Sequence, residues 1–204
     1  MPLSARVRQQ VVRKLEAYEG RVNHFYLDSV GKVTVGVGHL IATRSAVAGF
    51  DMRVGSGGTV ATLTEKHDEY DRVAAQPSGY RAAHYRAVTR LEMSDAEISR
   101  LRDHHVRTFH QELQTIYTRR NGYPDDFDDL PELVQMALFD LVFNLGATRL
   151  RSVFLNLDRA IRAGDWQRAA TEAHRPQVSA ARNLYVRQLF LSASGVPAVC
   201  IPTC

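Results

Sequence analysis

The sequence predicts an α+β fold, mostly α, with a small β-hairpin or sheet near the N-terminus and helices elsewhere. Three observations predict it. Apolar residues recur at helical spacing over most of the chain, while alternation with a period of two is confined to Phe25–Leu40. No apolar run approaches the roughly 18 residues that a membrane span needs. The 204 residues, 45% apolar and 24% charged, are enough for one domain or two small lobes sharing a core.

The elements follow in order. Val7, Val11, Leu15 and Tyr18 make residues 4–19 an amphipathic helix capped by Ser4 and stopped at Glu19-Gly20. Two short strands surround a turn at Ser29–Lys32. In the second strand Val33, Val35 and Val37 are buried, and Thr34 lies on a face bared by Gly36 and Gly38, across the hairpin from Asp28. Residues 49–59 read as a glycine-rich loop. Thr62-x-x-Glu65 has capping-box form and opens a helix ended by the PSG at 77–79. A second box, Ser94 to Glu97, opens a long helix running to about Arg119. The acidic NGYPDDFDDLP stretch breaks it as a solvated connection. Pro131 starts a helix too apolar all round for a surface position, ended by Gly146. Shorter helices follow at about 153–163, closed by Gly164, at 165–174, opened by Asp165, and at 179–192, opened by Ser179.

Glu19, Asp28 and Thr34 stand in one helix-to-hairpin segment. Cleaving a glycosidic bond takes a proton donor and a second carboxylate that attacks the anomeric carbon or activates water. A carboxyl at a helix end can be desolvated by strand residues, the condition a general acid requires. Asp28, before the turn, has a more solvated place, and the Thr34 hydroxyl can hold a water. Taken singly, each residue has a plainer reading: helix end, turn former, strand filler. Taken together, with Gly20, Gly31, Gly36, Gly38 and His39 at these spacings, they favour a site.

The run E-G-x5-Y-x-D-x2-G-x2-T-x-G-x-G-H, carried by Glu19, Gly20, Tyr26, Asp28, Gly31, Thr34, Gly36, Gly38 and His39, resembles the motif of the T-even phage lysozyme family. VQMALFDLVFNLG (134–146) is similar to that family's buried central helix, GDWQRAATEA (164–173) and Arg182-Asn183 continue the likeness, and residues 94–119 look like its interlobe helix. Residues 44–93 are not covered well. The resemblance implies a lysozyme-like two-lobed fold within a single domain, 1–204: an N-terminal lobe at about 15–93, the interlobe helix, and a helical C-terminal lobe at about 120–192. Residues 1–14 would pack on the C-terminal lobe, and 193–204 would be a tail.

It also implies a muramidase that hydrolyses the β-1,4 bond between N-acetylmuramic acid and N-acetylglucosamine in peptidoglycan. Glu19 would be the general acid, Asp28 with Thr34 would activate water, and the anomeric carbon would invert. Leu40, Phe143 and Arg182 match positions lining the family's sugar cleft, and His39 is counted with them. The family pairs that histidine with an aspartate on the interlobe helix, where this chain has His105. Two imidazoles cannot form that ion pair.

The other expectations are brief. Neither cofactor nor metal is implied: Asp103, His104, His105 and His110 lack the three- or four-residue spacing of ligands on one helix face. The net charge of +4 is scattered, without the interleaved aromatics of a nucleic-acid platform, so no nucleic-acid partner is expected. Asp140, inside an apolar helix, must find a partner, with Arg149 and Arg182 as candidates. Cys200 and Cys204 resemble no zinc site and read as two tail thiols. The N-terminus has no continuous apolar core of a secretory signal. Action on the periplasm or cell wall would then follow release by a holin or export by a secretion system. The segment SGYRAAHYRAVTRLEMSDAEISRL (78–101) is similar to one in proteobacterial lysozyme-like proteins, some delivered by secretion machines. The expected partner is the peptidoglycan glycan strand, with an immunity protein if the chain is a secreted effector, and the expected state is a monomer. Two alternatives differ in chemistry: a non-catalytic wall-binding module on the same fold, and a lytic transglycosylase.

Overall fold

The computed structural model describes residues 3–195, and Cys200 and Cys204 lie outside them. The protein is α+β and mostly α, with its strands in the N-terminal half. It divides into two compact units. Leu15–His105 forms one, and the residues up to Lys14 join those from Val106 onward in the other.

Helix α1 (Ala5–Glu19) starts where Ser4 Oγ accepts the amide of Val7 at 3.2 Å, and its Val7, Val11 and Leu15 stripe is buried. Strands β1 (Val22–Leu27), β2 (Val33–Gly36) and β3 (His39–Leu40) form an antiparallel sheet. Tyr26 pairs with Thr34, Leu27 with Val33, and Thr34 in turn with Leu40. Gly36 and Gly38 take φ of 68° and 65°, which lets the chain reverse between β2 and β3 without a Cβ penalty.

The glycine-rich loop expected at 49–59 contains a strand instead. Strand β4 (Met52–Val54) pairs antiparallel with β5 (Leu91–Met93), placing Arg53 opposite Glu92. Helix α2 (Leu63–Ala74) has its full capping box: Glu65 N–H donates to Thr62 Oγ1 at 3.3 Å, and Thr62 N–H donates to Glu65 Oε2 at 2.7 Å. Glu69 on α2 is buried and accepts the amides of Arg90 (2.6 Å) and Leu91 (2.9 Å), pinning the start of β5. Between them lies the single turn α3 (Ala82–Tyr85).

Helix α4 (Asp95–Ile116) is 22 residues long and contributes to both units. Only half of its expected capping box exists. Ser94 Oγ accepts the Glu97 amide at 3.2 Å, but the Glu97 carboxylate turns to Arg100. The helix stops short of Arg119 because Asn121 Nδ2 caps the carbonyls of Thr115 and Ile116 at 3.0 and 2.9 Å. The acidic stretch is not simply solvated: Asp128 accepts from His110 Nε2 at 2.7 Å and Gln114 Nε2 at 2.8 Å.

In the second unit α5 (Glu132–Leu145) is buried over most of its length and packs against α9 (Ala180–Ala193), which packs on α8 (Trp166–Glu172). Asp165 and Ser179 cap α8 and α9. Helix α7 is Leu155–Arg162, and α6 (Ala147–Ser152), not anticipated, precedes it. Asp140 on α5 is held by two buried arginines. Arg182 Nε donates to its oxygens at 3.2 and 3.0 Å, and Arg175 Nη2 lies 2.8 Å from Oδ1. Arg149, the other sequence candidate, is exposed.

Candidate active site

Helix α1 ends on Glu19 because Gly20 takes φ of 75° and returns its N–H to the Glu16 carbonyl at 2.9 Å. That end is braced. Glu16 accepts from Arg21 and Arg102 at 2.5 Å each, and Arg21 also reaches Asp95 at 3.1 Å. Burial opposes the charge on Glu16, but the two guanidiniums outweigh it and hold its carboxyl below the usual range. Glu19 itself is half-buried.

Asp28 closes the hairpin as an Asx turn. Its Oδ1 accepts the amides of Val30 (2.9 Å) and Lys32 (2.8 Å), and its own amide donates to the Lys32 carbonyl at 2.9 Å. Both side-chain bonds fall on Oδ1, which leaves Oδ2 available for other work. Thr34 departs from expectation twice. It is opposite Tyr26 rather than Asp28, and it is buried, 3% exposed, rather than on a bared face. Tyr26 and Leu40 flank it in adjacent strands, and its Oγ1 donates to the Lys32 carbonyl at 3.1 Å. Directly paired residues project to the same side of a sheet, as do residues two apart. Tyr26, Thr34 and Leu40 therefore form one row, with Asp28 next along the same side. Leu40 is half exposed at the end of that row.

Tyr26 stands between Glu19 and Asp28 in the sequence and is half-buried. Burial, followed by the negative charges of Glu19 and Asp28, pushes its phenol up to about 12. The half-buried phenol therefore stays protonated at neutral pH. Tyr26 is a fixed position of the sequence motif, and its place between two acids is the signal that marks it.

His39 is half-buried, its Nδ1 2.7 Å from His105 Nε2 and its ring edge-on to Phe50 at a centroid distance of 5.3 Å. One of the two rings donates its N–H to the other's ring nitrogen. Burial, then neighbouring positive charge, lowers both, His105 to about 4. As placed, His39 is occupied by protein neighbours.

Phe143 and Arg182 belong to the second unit. Phe143 is half-buried, edge-on to Phe109 at 5.5 Å, with the Arg182 guanidinium 5.9 Å from its ring centre. Arg182 is 6% exposed and bonded to Asp140, so it is a buried core arginine and not a surface arm. Arg175, fully buried beside it, carried no sequence signal.

Among the described residues no three His, Cys, Asp or Glu side chains come together as metal ligands, and no helix is long and apolar enough to cross a membrane. A cavity of about 440 Å³ in the first unit is lined by Asn23, Arg53, Gly55, Glu92 and Asp95, none of them a sequence candidate. Comparison with protein-family models and with curated proteins found no match.

Proposed function

We propose that this protein is a peptidoglycan muramidase, an N-acetylmuramidase that hydrolyses the β-1,4 bond between N-acetylmuramic acid and N-acetylglucosamine. What carries the reading is the hairpin that follows Glu19 at the end of α1: Asp28, fixed through Oδ1 by two backbone amides, stands along the same side of it as the Thr34 hydroxyl. The motif resemblance supplies the reaction class.

The chemistry balances with these groups. Glu19 gives its proton to the departing glycosidic oxygen as the bond to the anomeric carbon breaks. Thr34 Oγ1 already spends its hydrogen on the Lys32 carbonyl, so toward a water it can only accept. The water then donates one hydrogen bond to Thr34 Oγ1 and the other to Asp28 Oδ2, and its oxygen lone pair attacks the anomeric carbon. Asp28 takes the water's proton, and inversion follows from attack on the opposite face. Fixing Oδ1 with two amides aims the carboxylate without consuming the oxygen that works.

Biologically, the reading fits a bacteriolytic endolysin or an antibacterial effector acting on the wall, the latter requiring an immunity protein in its producer. Turbidity clearance of purified peptidoglycan tests the reading. Glu19→Gln, which cannot donate the proton, and Asp28→Asn should each lower the rate at least about 100-fold while melting like the parent. Undiminished clearance by Glu19→Gln would end the assignment. Binding without clearance by the parent would indicate a wall-binding module, and anhydro-muramic ends would indicate a lytic transglycosylase.

A further inference from the structure

The segment 77–85 lies in the stretch that the family motif leaves unexplained, yet it is built firmly onto the first unit. The buried Tyr85 hydroxyl donates to the Pro77 carbonyl at 2.9 Å, and His24 Nε2 meets the Ala82 carbonyl at 3.0 Å. Ser78 adjoins the Asp28 turn: a Cβ added to Gly31 would lie 3.5 Å from Ser78 Cβ. Two residues on, Tyr80 stacks on His84 with ring centroids 4.1 Å apart and planes at 13°. Tyr80 is nevertheless 52% exposed. A parallel partner at that distance covers one ring face, so the remaining exposure belongs to the other face and the rim.

A large aromatic held in a fixed plane, with one face bare, loses little freedom when something flat settles on it. Its surroundings decide what that is. Ser78, Gly79, Arg81 and His84 around it are exposed and none is a large apolar side chain, whereas a protein partner requires a broad buried patch. A pyranose ring suits it: one apolar C–H face to lie on the phenol, and hydroxyls at the rim to meet polar neighbours and water.

We propose that the Tyr80–His84 stack is a saccharide platform that seats one sugar of the glycan strand beside the turn carrying Asp28. This rests on the muramidase reading. The test uses the full-length Glu19→Gln protein to prevent turnover and measures binding of N-acetylglucosamine oligomers of increasing length by calorimetry. Adding Tyr80→Ala should weaken the longest bound oligomer roughly 3- to 10-fold, Tyr80→Phe should restore it, and His84→Ala should weaken it less. Unchanged affinity in Tyr80→Ala, when Glu19→Gln itself binds the oligomers, would overturn the platform and leave the muramidase reading intact. Absence of all oligomer binding, with no clearance by the parent, would overturn both.

Discussion

Thr34 has two demands on one hydroxyl: its hydrogen goes to the Lys32 carbonyl, and its lone pairs remain for water. Thr34→Val removes both, so it should cost about 1 kcal/mol in urea unfolding and also depress clearance, while Thr34→Ser should retain both. The His39–His105 pair makes a separate statement about pH. Both imidazoles titrate below their ordinary value of 6.5 in the native protein, His105 at about 4. As pH falls from 6.5 toward 4 the unfolded chain takes up protons that the native chain refuses, so stability is full above that window and falls within it. The melting temperature should drop accordingly. His105→Asp would let His39 ionise against a carboxylate, raising the pKa of His39 and flattening the loss. A profile in which His105→Asp is as acid-sensitive as the parent would contradict this account of the pair.

Helix ends were the most legible elements. Ser4, Thr62, Asp165 and Ser179 each cap the helix they precede, because a short polar side chain before an apolar stripe satisfies amides that nothing else reaches. The β4–β5 pair was not legible. Three residues are too few to display alternation, and the two strands are far apart in the chain with no local turn between them, the start of β5 being held by the buried Glu69 carboxylate. The geometry of the candidate site was legible in part: the helix end at Glu19 and the turn at Asp28 follow from spacing, whereas burial of Thr34 depends on the strands either side of it. Gly20 allows a sharp test of how the first helix ends. Nothing lies within 4 Å of a Cβ added there, so Gly20→Ala meets no clash and only the strain of φ 75°. It should destabilise by about 1 kcal/mol. No measurable change would mean that the helix end relaxes freely.

At the scale of the whole molecule, a buried charged cluster in the second unit bears on stability. Asp140 sits between Arg175 and Arg182, all three nearly inaccessible. Asp140→Asn would leave two buried guanidiniums short of a counter-charge and should cost about 3–5 kcal/mol, read by chemical denaturation. Arg175 and Arg182 show why that cluster was only half legible: Arg182 stands beside Asn183 in a motif, while Arg175 stands in a loop with no periodicity to mark it. The proposed muramidase activity depends on the other unit, on whether the acid ending the first helix hands a proton to a sugar linkage. The most direct measurement is mass spectrometry of fragments released from peptidoglycan in ¹⁸O-labelled water. The parent should yield reducing muramic-acid ends carrying one heavy oxygen, and Glu19→Gln should yield essentially none. Equal release by Glu19→Gln, or unlabelled anhydro ends from the parent, would contradict the account.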